Sequence, residues 1–169
     1  MADGGRNPVI RPAGPGDVDT LVEMIRDLAE YEHSADSVEI DRTMLETTLF
    51  GDSPSVFAHV AEERGRILGM AIWVKNFSTW TGRHGIYVED LFVRPEARGA
   101  GIGQQLMVEL AAIAERSGYR RIDWSVLTWN EPARRFYRAL GAVPQEEWIG
   151  YRLSGDGLRA LAGGSEQPP

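Results

Sequence analysis

A glycine-rich turn between an apolar segment and an amphipathic one limits what this chain can fold into. The turn is Arg98-Gly99-Ala100-Gly101-Ile102-Gly103; it follows the apolar run Ile86 to Val93. Apolar residues then recur at helical spacing, at Leu106, Met107, Leu110, Ala111 and Ala114. Glycines allow positive φ and close approach of the backbone to a ligand, and the first N–H groups of a helix favour anions. This strand–turn–helix unit therefore predicts an anion site suited to a pyrophosphate, to which Arg98 can add a bidentate contact.

Two familiar phosphate-binding motifs do not fit this turn. A Walker loop would end in Gly-Lys-Ser/Thr, whereas Gln104-Gln105 stands here. A dinucleotide fingerprint normally follows the first strand of a chain, whereas this turn lies past the middle, after a strand that we expect to be antiparallel. The alternative without a ligand is a plain tight turn with glycine at a helix entry.

The remaining patterns predict the order β-α-α-β-β-β-α-β-α-β. Strands are expected at 9–11, 56–61, 67–74, 86–93, 122–127 and 148–153, and helices at 18–29, 44–49, 106–118 and 132–140. Residues 156–162 could form a further short helix after this order. Asp17 and Asp41 are candidate caps of the first two helices, and Arg64-Gly65 is a candidate hairpin turn. This order predicts an α/β (α+β) fold with a central mixed sheet and helices on both faces. We expect one domain over 9–162, with loose tails at 1–8 and 163–169.

The amino-acid composition excludes several kinds of site and partner. The 169 residues include no cysteine, which excludes disulfides, thiolate metal sites and a cysteine nucleophile, so acyl transfer would be direct or use another nucleophile. The net charge of −7 disfavours nucleic acid and is compatible with a cationic small molecule, although acidity also serves solubility. The three histidines lack metal-ligand spacing, so no metal is expected. The sequence has no signal peptide and no apolar run of membrane length, which predicts a cytoplasmic protein without a membrane partner.

A second motif makes the chain recognisable. Asn130-Glu131-Pro132-Ala133-Arg134-Arg135-Phe136-Tyr137 is followed by Gly141. Together with the glycine-rich turn, this segment resembles the acetyl-CoA signatures of the GNAT superfamily of N-acetyltransferases. Three further segments resemble its diamine (spermidine/spermine) and thialysine branch: Leu28 to Glu32, Tyr87 to Val93 and Trp129 to Pro132. The resemblance implies the GNAT fold, with a mostly antiparallel, twisted sheet, and a homodimer.

The resemblance also implies how acetyl-CoA is held. The pyrophosphate would lie on the turn and the helix that follows, contacting Arg98, Gly99, Ala100, Gly101, Ile102, Gly103 and Gln104. The pantetheine arm would pair like an added strand with the backbone of Leu91, Phe92 and Val93, where neighbouring strands splay. Asn130, Ala133 and Tyr137 would contact the cofactor further along.

The implied chemistry needs a base and an acid. An alkyl amine has a pKa of about 10.4 and arrives protonated, so a carboxylate has to hold the cation and accept a proton. Glu89 and Asp90 are adjacent on a strand and should face opposite sides. By resemblance Glu89 is the base, directly or through a water, and Asp90 supports it; a solvated strand edge is the alternative. Tyr137 would donate a proton to the leaving sulfur unless it is only a core aromatic, and a backbone N–H near Leu91 could polarise the thioester.

Several classes of amine are compatible with the sequence as the substrate. By resemblance Tyr31, Glu32, Glu89, Asp90 and Trp129 would bind the substrate, and His33 is a weaker candidate. Trp80, Trp124, Trp129 and Trp148 could line an apolar slot or simply pack in the core. Departures from the branch pattern occur at Leu91, at Asp123-Trp124-Ser125 and at Gln145 to Trp148. The candidate substrates are therefore polyamines, diamines, thialysine, lysine analogues and basic antibiotics. Two other functions are also compatible with the sequence: a peptide N-terminal acetyltransferase and a non-catalytic acetyl-CoA-binding module.

Overall fold

A five-stranded mixed sheet organises the protein. The computed structural model describes residues 8–163. Its elements are β1 (Val9–Pro12), α1 (Val18–Tyr31), α2 (Arg42–Phe50), β2 (Val56–Glu63), β3 (Arg66–Ser78), β4 (Arg83–Val93), α3 (Ile102–Arg116), β5 (Ile122–Trp124), α4 (Glu131–Ala139) and α5 (Gly155–Gly163). The strand order is β1-β2-β3-β4-β5, with every pair antiparallel except the parallel pair β4–β5. The predicted mixed, mostly antiparallel sheet is confirmed.

By its internal contacts the chain divides into two compact units, residues 1–131 and 132–169. The first unit holds the sheet and α1 to α3, and the second holds α5 and α4 from its second residue onward. The single domain over 9–162 stays a prediction. Of the two expected tails, residues 1–7 and 164–169 lie outside the described residues, whereas Pro8 is buried and Gly163 ends α5.

Helices cover both faces of the sheet. On one face α1 and α2 pack on the strands in a single apolar cluster, which includes Leu21, Met24, Leu45, Val60, Met70, Ile72 and Phe92. Gly69 precedes Met70, and a Cβ built on it would lie 3.0 Å from Ile102 Cγ2 and 3.2 Å from Leu106 Cδ1 of α3. Because successive strand residues point to opposite faces, α3 lies on the other side of the sheet from α1.

Local chemistry accounts for several turns and caps. Arg64 and Gly65 have φ of 53° and 78°, the backbone form of a two-residue hairpin turn, so the predicted β2–β3 hairpin is confirmed. The Asp41 carboxylate accepts a hydrogen bond from the Met44 N–H at 2.8 Å and caps α2. Asp17 also occupies the N-cap position of α1, as predicted, but its side chain makes no capping hydrogen bond. Its carboxylate instead accepts hydrogen bonds from Arg11 at 2.6 Å and from the Gly14 N–H at 2.7 Å.

Two strand predictions need correction. Residues 148–153 are not a strand; in the described part of the second unit the regular elements are helices, so no strand within that unit is available to pair with this segment. The strand predicted over 122–127 ends at Trp124. Its parallel partner β4 carries an irregularity immediately after Val88, and the ladder stops there.

The close approach of α3 to the sheet gives a first prediction. Gly69→Val should lower the free energy of unfolding by about 1–3 kcal/mol, because the added carbons collide with Ile102 and Leu106 at the start of α3. Urea unfolding followed by circular dichroism measures this. Gly16→Val is the control, since a Cβ there meets no atom within 4 Å; equal effects of the two substitutions would contradict this packing.

Candidate active site

The sheet opens beside the second half of β4. On one side β4 pairs with β3 as far as Val93, opposite Gly69. On the other side its ladder with β5 comprises only Ile86, Tyr87 and Val88. Among residues 8–163, the backbone from Glu89 to Val93 therefore has no strand partner on the β5 side. A strand edge of this kind can pair with an extended ligand.

A β-bulge marks the point where the two ladders separate. Ile72 lies opposite Asp90 and Trp73 opposite Val88, so Glu89 is an extra residue on β4. Bulges bend a strand and re-aim its side chains, often next to active sites. Glu89 is exposed, whereas Asp90 is partly buried. The two carboxylates predicted from the sequence therefore lie at a geometric discontinuity in β4.

The direction of the free backbone groups follows from one hydrogen bond. The Arg94 N–H donates to the Leu68 carbonyl at 2.9 Å, and within a trans peptide the preceding Val93 carbonyl points the opposite way. Val93, and by the two-residue period of a strand also Leu91, turn their polar groups to the open edge. Phe92 turns its own toward β3. Of the three residues expected to pair with pantetheine, Leu91 and Val93 therefore direct their polar groups to the open edge, where the Val93 carbonyl already accepts a hydrogen bond from Arg98 Nε at 3.0 Å.

The glycine-rich turn leads from this edge into α3. Gly99 and Gly101 have φ of 80° and 76°, and Gly101 is the N-cap of α3. A Cβ at either glycine would meet no atom within 4 Å, so the backbone conformation requires glycine and the approach from outside is open. The first turn of α3 comprises Ile102, Gly103 and Gln104, whose N–H groups have no partner within the helix. This donor set suits a pyrophosphate, and the binding of a pyrophosphate to it stays a prediction.

Arg98 connects the turn to neighbouring elements. Its Nε donates to the Val93 carbonyl at 3.0 Å. Its guanidinium carbon lies 5.2 Å from the ring centre of Tyr31 and 5.7 Å from that of Phe92, distances typical of cation–π contacts. The residue expected to bind the pyrophosphate thus also contacts Tyr31, a residue expected to bind the amine.

Three carboxylates, those of Glu32, Glu89 and Asp90, form what we call the carboxylate trio. Burial, then the charges of Glu89 and Glu32, raise the pKa of Asp90 to about 6. Each cause disfavours the ionised form of Asp90. A cation between these carboxylates would relieve the repulsion, so the trio is suited to a protonated amine.

Aromatic side chains line the end of α1. The ring of Trp129 lies 5.9 Å from that of Tyr31 and 5.6 Å from that of His33. The Tyr31 hydroxyl donates to Oδ1 of Asn130 at 3.2 Å, and Asn130 is buried. The structure thus brings together Tyr31, Trp129 and Asn130 from distant segments. The role of Asn130 as the partner of Tyr31 was not predicted, because no local pattern links residues 99 positions apart.

The second unit carries two more of the predicted residues. Ala133 and Tyr137 lie on α4 and, four residues apart, share one face of that helix. The ring of Tyr137 contacts that of Phe136, with centres 5.1 Å apart. Gly141, with φ of 88°, ends the turn after α4, where the Ala142 N–H donates to the Tyr137 carbonyl at 3.1 Å. The predicted glycine stop of this helix is confirmed.

The tryptophans proposed for an apolar slot lie on separate elements. Trp80 lies in the β3–β4 turn and is 86% exposed, Trp124 ends β5, and Trp148 belongs to the second unit. Within residues 8–163, no group of three or more histidines or acidic residues could hold a metal ion. No described helix is long and apolar enough to cross a membrane.

Comparisons with known proteins agree with this geometry. The family model of the acetyltransferase (GNAT) family matches residues 19–142. A thialysine N-epsilon-acetyltransferase from Sus scrofa is 37% identical, over 92% of this chain and 97% of the relative. A human spermidine/spermine N(1)-acetyltransferase-like protein is 28% identical, over 90% of this chain and 23% of the relative.

A solved structure supports the fold independently. An integron cassette protein from V. cholerae superimposes with a TM-score of 0.77 and 31% identity, covering 94% of this chain and 99% of the other. The open edge of β4, the glycine-rich entry into α3 and the family match over 19–142 lead to one conclusion: this chain belongs to the GNAT family and is an acetyltransferase that acts on an amine.

Proposed function

We propose that this enzyme transfers an acetyl group from acetyl-CoA directly to a primary amine of a small cationic substrate, a lysine-like amine or a diamine. The observation that carries the proposal is the position of Glu89 and Asp90 at the bulge where the ladder between β4 and β5 ends, with the charge of Glu32 also acting on Asp90. The relatives, named for thialysine and for spermidine/spermine, share one chemical feature: each of these molecules carries a primary amine that is cationic at neutral pH.

Acetyl-CoA, the co-substrate of the family, would lie along β4. Leu91 and Val93 would pair with the amide groups of its pantetheine arm, because their polar groups face the open edge. The turn from Arg98 to Gln104 would hold the pyrophosphate through helix N–H groups. Asn130 and Ala133 would contact the arm further along. The thioester would then lie close to Glu89 and Asp90, on the same strand.

The proton transfers fall to two residues. The carboxylate trio holds the ammonium group, and Glu89, the exposed member, accepts its proton directly or through a water. The freed amine nitrogen attacks the thioester carbon, forming the C–N bond while the C–S bond breaks. Tyr137 donates its phenolic proton to the departing thiolate. With no cysteine in the chain, transfer takes place without a cysteinyl acyl-enzyme.

We also propose a cytoplasmic location, since a chain without cysteine suits a reducing compartment, and a homodimer, which the resemblance to the polyamine branch implies. Strong negative charge at the site and over the chain disfavours nucleic acid as a partner.

The central experiment measures CoA release with a thiol-reactive dye, using acetyl-CoA and a panel of amines. We expect turnover on at least one of thialysine, lysine, putrescine and spermidine. Glu89→Gln and Tyr137→Phe should each lower kcat by roughly 100-fold or more, with acetyl-CoA affinity within about threefold of wild type.

Two control substitutions distinguish a catalytic role of Glu89 and Tyr137 from a general loss of folding. Glu115→Gln and Tyr119→Phe alter the same side-chain types near the far end of α3, some 20 Å along the helix from its N-terminus, and should leave kcat unchanged. Acetyl-CoA binding without turnover on any amine would instead indicate a non-catalytic binding module, and acetylation of peptide N-termini alone would indicate a peptide acetyltransferase.

The glycine-rich turn gives a second prediction. Gly101→Ala should weaken acetyl-CoA binding at least about tenfold, because a side chain at positive φ costs about 1–2 kcal/mol and shifts the N–H groups that hold the pyrophosphate. Isothermal titration with CoA measures the affinity. Gly65→Ala imposes the same kind of strain in the β2–β3 turn, at φ 78°, and should lower stability without changing the affinity. Equal losses of affinity would contradict the assignment.

The raised pKa of Asp90 gives a third prediction. Its folded-state pKa of about 6 exceeds the unfolded value of 3.8, so the folded state binds the proton more tightly, and stability is lost as the pH rises through this window. Asp90→Asn should therefore raise the unfolding free energy at pH 7 by about 2–3 kcal/mol relative to its effect at pH 3.5. The same variant should raise KM for the amine. Urea unfolding at both pH values checks the sign, and a pH-independent effect would contradict it.

A further inference from the structure

Arg98 carries a positive charge that no carboxylate of the described chain neutralises. Arg94, four residues earlier, pairs with the Glu23 carboxylate at 2.9 Å. Within residues 8–163 the side chain of Arg98 makes no ion pair, and its Nε donates to the Val93 carbonyl at 3.0 Å. The charge of Arg98 is therefore available to act on any ligand bound nearby.

The guanidinium of Arg98 lies over two aromatic rings. Its central carbon is 5.2 Å from the centre of the Tyr31 ring and 5.7 Å from that of Phe92. Tyr31 is held in this position, because its hydroxyl donates to Asn130 Oδ1 at 3.2 Å and its ring contacts that of Trp129, with centres 5.9 Å apart. A face of the Tyr31 ring is thus already used by a cation of the protein itself.

The same ring belongs to the proposed amine site. A protonated amine is attracted to the face of an aromatic ring in the same way as a guanidinium, so Arg98 and a cationic substrate compete for Tyr31. Their like charges also repel each other at short range. Both effects lower the affinity for the amine as long as Arg98 keeps its positive charge on Tyr31.

The pyrophosphate of acetyl-CoA would act on this same guanidinium. Arg98 begins the turn that leads to Gly101, the N-cap of α3, where we propose that the pyrophosphate is held. A guanidinium binds phosphate oxygens through paired, charge-assisted hydrogen bonds, which are stronger than its contacts with rings. The pyrophosphate would either draw the guanidinium off Tyr31 or compensate its charge there. Since each of these changes favours a cation at Tyr31, both give an effect of the same sign.

We propose that Arg98 couples the two substrate sites, so that the amine binds more tightly once acetyl-CoA is bound. The inference rests on the proposed function and deepens it, because it assigns a regulation to the same site. Coupling between two ligands is reciprocal, so the amine tightens the binding of the cofactor by the same factor. Arg98 acts in this way on affinity and not on the chemical step, and it disfavours an amine that arrives before the acetyl donor.

Isothermal titration tests the coupling with the best acceptor among thialysine, lysine, putrescine and spermidine. The amine is titrated with and without saturating CoA, which has no acetyl group to transfer. For wild type we expect CoA to lower the dissociation constant of the amine about fivefold or more. Arg98→Gln removes the positive charge, so without CoA this variant should bind the amine about fivefold or more tightly than wild type does. Direct attraction between CoA and the amine cannot produce this second result, because no CoA is present.

Three further variants isolate the contact between Arg98 and Tyr31. Arg98→Lys keeps the charge, and Arg120→Gln removes a positive charge beyond the far end of α3; without CoA each should bind the amine within about twofold of wild type. In a Tyr31→Leu background Arg98→Gln should change the amine affinity by less than about twofold, because the ring that holds the guanidinium at the amine site is gone.

The possible results separate this inference from the proposed function. Equal amine affinities of wild type and Arg98→Gln without CoA, or a wild type whose amine affinity CoA leaves unchanged, would overturn the coupling, while turnover in the CoA-release assay would keep the proposed function in place. If wild type turns over none of the four amines, both are overturned.

Discussion

The interruption of the β4 ladder after Val88 is the constraint on which the rest of the site depends. β4 stays paired with β3 on both sides of the bulge at Glu89, whereas the ladder between β4 and β5 ends at Val88 and Trp124. The bulge at Glu89 lies at this same point. One local irregularity therefore exposes the edge groups of Leu91 and Val93 and displays two carboxylates next to them. An extended arm that pairs with this edge would deliver its reactive end to those carboxylates.

The negative charges near Asp90 lower the stability of the folded protein but favour the binding of a cationic substrate. Burying Asp90 near Glu89 and Glu32 raises its pKa to about 6, which means that its charge opposes folding at neutral pH. The rest of the fold offsets this through the buried cluster of α1, α2 and the sheet and through the packing of α3 on Gly69. A cationic substrate would reverse the sign of the interaction. Unfavourable charge of this kind is frequent at functional sites.

Several turns and helix ends were predicted correctly from the sequence, because residues within each of these segments determine its backbone conformation. The glycines at 99 and 101, the cap at Asp41 and the Arg64-Gly65 turn each fix a backbone conformation that neighbours do not override. The prediction was wrong where a strand needs a partner from elsewhere in the chain. Residues 148–153 have a strand-like pattern, but they do not form a strand, and the second unit offers no strand to pair with them. The Tyr31–Asn130 bond and the left-handed His33 depend on packing between distant segments, which no local pattern contains.

A crystal structure with CoA and an acceptor amine tests the central claim most directly. We expect the amide groups of the pantetheine arm to lie within hydrogen-bond distance of the backbone of Leu91 and Val93. We also expect the pyrophosphate on the N–H groups at the start of α3, and the amine nitrogen beside Glu89 and Asp90. CoA bound elsewhere while this edge of β4 stays unpaired, or an amine remote from both carboxylates, would contradict it.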